Sequence, residues 1–242
     1  MSIATSITVQ GSYRIADKVL FDGVSLSMPA GQWSCLLGRS GVGKSTILRL
    51  ILGLETGGTF SGAVAATDGV PLAGRISYMA QSDLLLPWLS VLENVCIGAR
   101  LRGEPVEQDR ARELLHRVGL AEHVDQKPAT LSGGMRQRAA LARTLFEDRA
   151  IVFLDEPFSA LDAGTRADMQ ELAADVLQYR SVLLVTHDPA EAARLADQII
   201  VISEQKTQSW PVPDTPSLRE ISAPETLECQ ARLLAHLRGL AA

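Results

Sequence analysis

No run of apolar residues in this sequence approaches the roughly 18 to 20 that a membrane-spanning helix requires. The N-terminus also lacks the basic-then-apolar layout of a secretory leader, so any membrane contact is expected to go through a partner. Cysteine is scarce: Cys35, Cys96 and Cys229 are far apart and form no C-x-x-C pair. That argues against a disulfide framework and a zinc site, and fits a reducing cytoplasm. An excess of positive charge is missing too. With 23 Lys and Arg scattered among 28 Asp and Glu, no basic stripe is available to neutralise a phosphate backbone, so nucleic acid is not an expected partner. Neither a repeat of fixed period nor a long low-complexity tract interrupts the 242 residues. At 46% apolar side chains the chain can bury a sizeable core, as one large domain or as a domain with a lobed insertion.

What is present has a clear order. Short β-rich runs at Ser6–Gln10, Lys18–Phe21, Gly23–Met28 and Gln32–Leu37 are separated by turn signals such as Pro29-Ala30-Gly31. From Ser45 the apolar positions Ile47, Leu48, Leu50, Ile51 and Leu54 follow helical spacing, with Gly53 as a stop. Between about Leu84 and Glu147 the β-branched runs disappear, and Glu107–Val118 and Met135–Phe146 carry a 3.6-residue apolar period, which predicts a helical lobe. Buried-type strands return at Ala150–Leu154, Ser181–Val185 and Gln198–Ile202, alternating with helical stretches at Gly164–Leu177 and Pro189–Leu195. This alternation predicts an α/β fold with a mainly parallel sheet covered on both faces. After Ser203, Pro211, Pro213, Pro216 and Pro224 are expected to break any element until a short Leu-rich helix near the end.

Three constellations carry chemistry. Gly38-Arg39-Ser40-Gly41-Val42-Gly43-Lys44-Ser45 is a full G-x-x-x-x-G-K-S phosphate loop between a strand and a helix. Its glycines let backbone N–H groups turn toward phosphates, and the helix N-terminus presents its dipole to the anion. Lys44 is expected at the β- and γ-phosphates, the Ser45 hydroxyl on Mg²⁺, and Thr46 follows in the first helical turn against the nucleotide. Ile151-Val152-Phe153-Leu154-Asp155-Glu156 is an apolar strand delivering two carboxylates at its end, Asp155 for Mg²⁺ and Glu156 to polarise the attacking water. Leu131-Ser132-Gly133-Gly134-Met135-Arg136-Gln137-Arg138 sets a serine and two glycines immediately before a helix, a second anion-type site. If the two sites lie on separate lobes, one nucleotide cannot easily use both. The economical arrangement is a head-to-tail pair of chains, with each ATP between one phosphate loop and the other chain's Ser132–Gly134.

This combination resembles the nucleotide-binding subunit of the ATP-binding cassette (ABC) superfamily over roughly residues 3 to 204. The order matches: the phosphate loop, a Q-loop glutamine at Gln81, the signature at Leu131 to Gly134, Asp155 with Glu156, a D-loop at Ser159-Ala160-Leu161-Asp162, and a switch histidine at His187. The resemblance implies a P-loop NTPase with a RecA-like mixed-sheet core, an N-terminal antiparallel β subdomain and a helical signature subdomain at about 84–147. Residues 205–242 would be a Pro-rich linker and helical tail. It further implies ATP and Mg²⁺ as cofactors, Gln81 on Mg²⁺ and the attacking water, and His187 on the γ-phosphate. Asp162 would cross the dimer interface. Tyr13 matches the adenine-stacking aromatic, with simple strand packing as the alternative. Met135 stands where many members carry glutamine, and Arg39 where proline is frequent.

Leu84-Leu85-Leu86-Pro87-Trp88-Leu89-Ser90-Val91-Leu92-Glu93-Asn94-Val95 is similar to bacterial importers of the nitrate, sulfonate and taurine type, a group that includes carriers of pyrimidine precursors. That likeness implies integral membrane permease subunits docking near Leu86, Trp88 and Leu89, although packing within the lobe would account for the same residues. It also implies an extracytoplasmic solute-binding protein acting indirectly, and a peripheral position at the cytoplasmic face of the plasma membrane. A soluble ABC-type switch not coupled to transport is the alternative reading. A single-site kinase would leave the signature and D-loop unexplained.

Overall fold

The computed structural model describes residues 4–16, 18–39, 41–203 and 207–239. In chain order the strands and helices are β1 (Ile7–Ile15), β2 (Lys18–Met28), β3 (Trp33–Leu37), α1 (Lys44–Ile51), β4 (Thr59–Ala66), β5 (Ile76–Met79), α2 (Val91–Val95), α3 (Ile97–Arg102), α4 (Gln108–Arg117), α5 (Gly133–Phe146), β6 (Ile151–Asp155), α6 (Ala163–Val176), β7 (Ser181–Thr186), α7 (Pro189–Leu195), β8 (Gln198–Ile202), β9 (Thr207–Trp210) and α8 (Pro224–Gly239). They divide into two compact units, the first comprising residues 1–76, 150–155 and 179–242, the second residues 77–149 and 156–178.

The first unit holds two groups of strands. In one, β1 lies between β2 and β4, antiparallel to both. In the other, β6, β7, β3 and β8 run parallel in that order, and β9 pairs antiparallel with β8 at the edge. Every residue of β3, β6 and β7 is buried, as their unbroken apolar runs require. Parallel strands deliver their C-terminal ends to one edge, so Leu37 before the phosphate loop, Asp155 and Thr186 emerge side by side.

Two features depart from the sequence reading. Lys18–Phe21 and Gly23–Met28 read as separate runs, yet β2 passes through both as one strand. The register with β1 shifts between Gly11 and Tyr13, leaving an extra residue on β2, and Gly23 takes φ 61 there, as a bulge allows. Beyond Ser203 the tail is more structured than its prolines suggest. Thr207–Trp210 forms β9, and Pro224 opens a 16-residue helix, at the end of a helix where the missing N–H costs nothing.

The second unit is mainly helical. Ser90 and Glu93 form a reciprocal capping box at the start of α2. Asn94 is wholly buried; its side chain accepts from the Leu86 N–H and donates to the carbonyls of Leu86, Leu89 and Ser90. It thereby fixes the Leu86-to-Ser90 turn. Leu84 and Trp88 remain 61% and 66% exposed on this segment. No helix among the described residues is long and apolar enough to cross a membrane.

Candidate active site

In the first unit the chain leaves β3 into the phosphate loop and enters α1 at Lys44. Gly43 caps that helix at φ 106, a conformation that a side chain would strain, and an added Cβ would press to 3.2 Å from the Phe21 ring. Lys44 is buried, and its Nζ donates to the carbonyls of Gly38 at 2.6 Å and Arg39 at 3.0 Å. The ammonium thus folds back over the loop, within the ring of backbone that the glycines open. Arg39, Gly41 and Ser45 are exposed, Thr46 is half-buried, and Val42 is buried. Ser40 lies outside the described residues.

The Ser45 hydroxyl donates to Asp155 Oδ2 at 3.4 Å, joining the first turn of α1 to the end of β6. Asp155 is only 4% exposed. A hydroxyl beside a buried carboxylate is a hard, all-oxygen donor pair that fits Mg²⁺. No group of three or more His, Cys, Asp or Glu able to hold a metal occurs among the described residues. The two facts agree, because Mg²⁺ commonly takes one or two protein oxygens and completes its shell from phosphates and water.

His187 follows β7 and is exposed. Tyr13 is wholly buried in β1, its ring stacked on Phe21 at 5.7 Å and its hydroxyl donating to the Thr56 carbonyl at 2.7 Å. The stack on Phe21 and the hydrogen bond to Thr56 are contacts of the strand-packing kind. Burial pushes the Cys35 thiol well up, the neighbouring Glu191 carboxylate adding to the effect, which makes this cysteine an inert part of β3.

In the second unit Gln81 and Glu156 come together: Gln81 Nε2 donates to Glu156 Oε2 at 3.3 Å. Glu156 adopts φ 50, a left-handed backbone that is uncommon outside glycine. Ser132 is the N-cap of α5, its hydroxyl accepting from the Met135 N–H at 3.2 Å. Gly133 and Gly134 form the first turn behind it. Asp162 is the N-cap of α6 and accepts from the Thr165 N–H at 3.1 Å, a bond that holds its carboxyl below the usual range.

The sequence reading missed Gln137. It is buried on α5, and its Nε2 donates to the carbonyls of Glu156 at 3.3 Å and Pro157 at 3.1 Å, so the signature helix grips the backbone of the strained glutamate. The signal available was a polar residue on the apolar stripe of Met135–Phe146. Arg136 was missed as well; its Nε donates to Asp83 at 3.1 Å and its Nη1 to the Leu131 carbonyl, tying the residues after Gln81 to the signature.

Comparison with known proteins gives this geometry a family. A family model described as ABC transporter matches residues 21–159. The chain is 41% identical over 229 residues to an uncharacterized ABC transporter ATP-binding protein of Haemophilus influenzae, covering 92% of this chain and 94% of that protein. It is 48% identical over 187 residues to an aliphatic sulfonates import ATP-binding protein, SsuB 2, of Agrobacterium fabrum, covering 75% and 70% of the two. The fold is similar to part of a bacterial Atm1-family ABC exporter solved with ATP bound, at TM-score 0.76 and 22% identity over 97% of this chain, which spans 43% of the exporter chain. The chain therefore belongs to the ABC transporter family, as an ATP-binding subunit that hydrolyses ATP.

Proposed function

We propose that this chain energises import of a small sulfonate through separate membrane subunits, hydrolysing Mg²⁺-ATP between two copies of itself. The observation that carries the reading is a pair of anion-type backbone sites, the loop before α1 and the turn opening α5. Gly133 supports a ligand at the second. A Cβ added there would meet only Arg136 Nη2, at 4.0 Å, so the described residues give no packing reason for glycine. A phosphate approaching bare N–H groups from outside does give one.

Within such a pair, Lys44 holds the β- and γ-phosphates, and Ser45 and Asp155 hold Mg²⁺, which when bound neutralises charge on the transferred phosphate. Glu156 orients the attacking water, with Gln81 donating to the same carboxylate. His187 binds the γ-phosphate, the partner copy's signature turn closes over it, and Asp162 reaches the opposite site. Tyr13 keeps only the less direct role of shaping the hairpin against the loop, through Phe21 beside Gly43.

The sulfonate assignment draws on the name carried by the Agrobacterium relative. Of the expected docking patch Trp88 is exposed while Leu86 and Leu89 are half-buried, so permease docking draws on Trp88 with the neighbouring exposed Leu84, and implies a peripheral position at the cytoplasmic membrane face with a solute-binding protein acting on the permease. The test combines turnover with assembly. Wild-type ATPase should rise supralinearly with protein concentration. Glu156→Gln should bind ATP, run as an ATP-trapped dimer on size exclusion, and turn over roughly 10² to 10⁴ times more slowly. Activity proportional to concentration, from a monomer that ATP never dimerises, would overturn the two-copy site. Labelled alkanesulfonate uptake by cells carrying this chain and its permease, abolished by Glu156→Gln, checks the solute; uptake of nitrate alone would reassign it.

A further inference from the structure

Helix α7 is seven residues long, too short to hold its own conformation, and it begins two residues after His187. Both of its ends are fixed by groups that the hydrolysis chemistry does not use. At the near end, the buried Thr186 hydroxyl donates to Glu191 Oε2 at 2.7 Å and accepts the Asp188 N–H at 3.0 Å. Asp188 in turn caps the helix by accepting from the Ala190 N–H at 2.8 Å. The residues flanking His187 are therefore stitched to the first turn of α7.

The far end is held from the tail. The last carbonyls of a helix have no partner inside it and carry the negative end of its dipole. Here the guanidinium of Arg219, 5% exposed, donates through Nη1 to the carbonyls of Ala193 at 3.0 Å and Ala196 at 2.8 Å, and through Nη2 to that of Pro213 at 3.1 Å. Its own backbone N–H donates to the Arg194 carbonyl at 2.9 Å, and its carbonyl accepts from Arg194 Nε at 3.3 Å. The rest of the tail is anchored on the same unit: Thr207–Trp210 pairs with Ile199–Ile202, and Leu233 is wholly buried. A buried guanidinium is costly to desolvate; two of the three hydrogen bonds of this one go to carbonyls at the end of α7 and the third to Pro213, while its buried Nε makes none.

We propose that Arg219 and Thr186 are positioning residues for the His187 turn, acting from the two ends of α7, so that the C-terminal segment sets the catalytic geometry of a site it does not touch. This rests on the reading that His187 binds the γ-phosphate. α7 works as a strut: release either end and the turn carrying His187 gains freedom, while Lys44 and Ser45 stay on α1. ATP binding should then survive and turnover should fall.

The test is a double-mutant cycle on the full chain with Mg²⁺-ATP. Arg219→Met keeps the side-chain stem and removes the donors. Alone it should lower kcat roughly 10- to 100-fold, the scale on which a small misplacement acts, with KM for ATP within about twofold of wild type. In a His187→Ala background the same substitution should lower kcat by no more than about twofold, because its route to the chemistry is gone. An equal fold-loss in both backgrounds would show a general structural defect and overturn the proposal, as would unchanged kcat in the single variant. Unchanged turnover of His187→Ala alone would instead remove the histidine's role, and the positioning claim with it. Should Arg219→Met not fold, Thr186→Val, nearly isosteric and at the opposite end of α7, runs the identical cycle with the same criteria.

Discussion

Glu156 holds φ 50 with an ordinary side chain, a conformation costing on the order of 1 to 3 kcal/mol that persists only where the surroundings impose it. The imposing groups can be named. Its carbonyl accepts from Gln137 Nε2 and from the Ser159 hydroxyl, and Gln137 also holds the next carbonyl, that of Pro157. The left-handed turn thus aims a carboxylate that the strand alone would carry onward. Gln137→Met, similar in volume, would remove the side-chain donor to the Pro157 carbonyl and leave the Glu156 carbonyl to Ser159. It should cost about 1 to 3 kcal/mol in urea unfolding and slow ATP turnover as the turn relaxes. Wild-type turnover in a measurably destabilised variant would show that the grip serves stability alone. No sequence pattern announces such a role. Gln137 reads as one polar residue in an amphipathic helix, and only the tertiary meeting of α5 with the turn after β6 gives it work.

At the scale of elements, legibility followed burial. β8 and α7 fall where periodicity sets them, and β6 and β7 lie within a residue of expectation, because a strand buried on both faces is an unbroken apolar run. β9 was illegible, since Thr-Gln-Ser-Trp has no apolar alternation and its partner, β8, lies across residues that carry no pattern. Helix caps lie between these extremes, being written in single residues, and where the cap is a carboxylate its effect depends on pH. Asp162 caps α6 with its carboxyl held below the usual range by the Thr165 N–H, so its folded pKa lies below its unfolded one. Its stabilising contribution is therefore complete above the unfolded value, about 3.9, and is lost as pH falls through the lower folded value. Asp162→Asn retains an acceptor without titrating. The advantage of wild type over that variant in urea midpoint should shrink as pH drops from about 6 to about 3, and a constant difference would mean that the carboxylate's charge is not what caps the helix.

For the whole molecule, the two anion-type turns and the exposed apolar segment make different demands on assembly, and one experiment separates them. The phosphate loop and its motif partners were readable as a linear order, because backbone anion sites are written locally in glycine, serine and a helix start. What the order could not supply is the partner each surface meets. Ser132 sits at the helix start with its hydroxyl already used as a cap, and both it and Gly133 are exposed. Ser132→Arg would put a long cation over that turn and remove the cap, while leaving the Lys44 loop and Leu84–Trp88 untouched. ATP affinity of the monomer should stay within about threefold of wild type, ATP-dependent dimerisation should vanish, and turnover should fall to the level of the non-dimerising protein. Trp88→Ala should do the reverse: loss of an exposed indole leaves folding, dimerisation and basal turnover unchanged, and weakens only capture by the membrane subunits, where a buried tryptophan anchor commonly contributes about 2 kcal/mol or more. If Ser132→Arg hydrolysed ATP at the wild-type rate, the second anion site would have no part in the reaction and a one-chain mechanism would have to replace the two-copy site. If Trp88→Ala lost turnover in the absence of any permease, the segment would belong to the fold of the helical unit and the docking surface would have to be sought elsewhere.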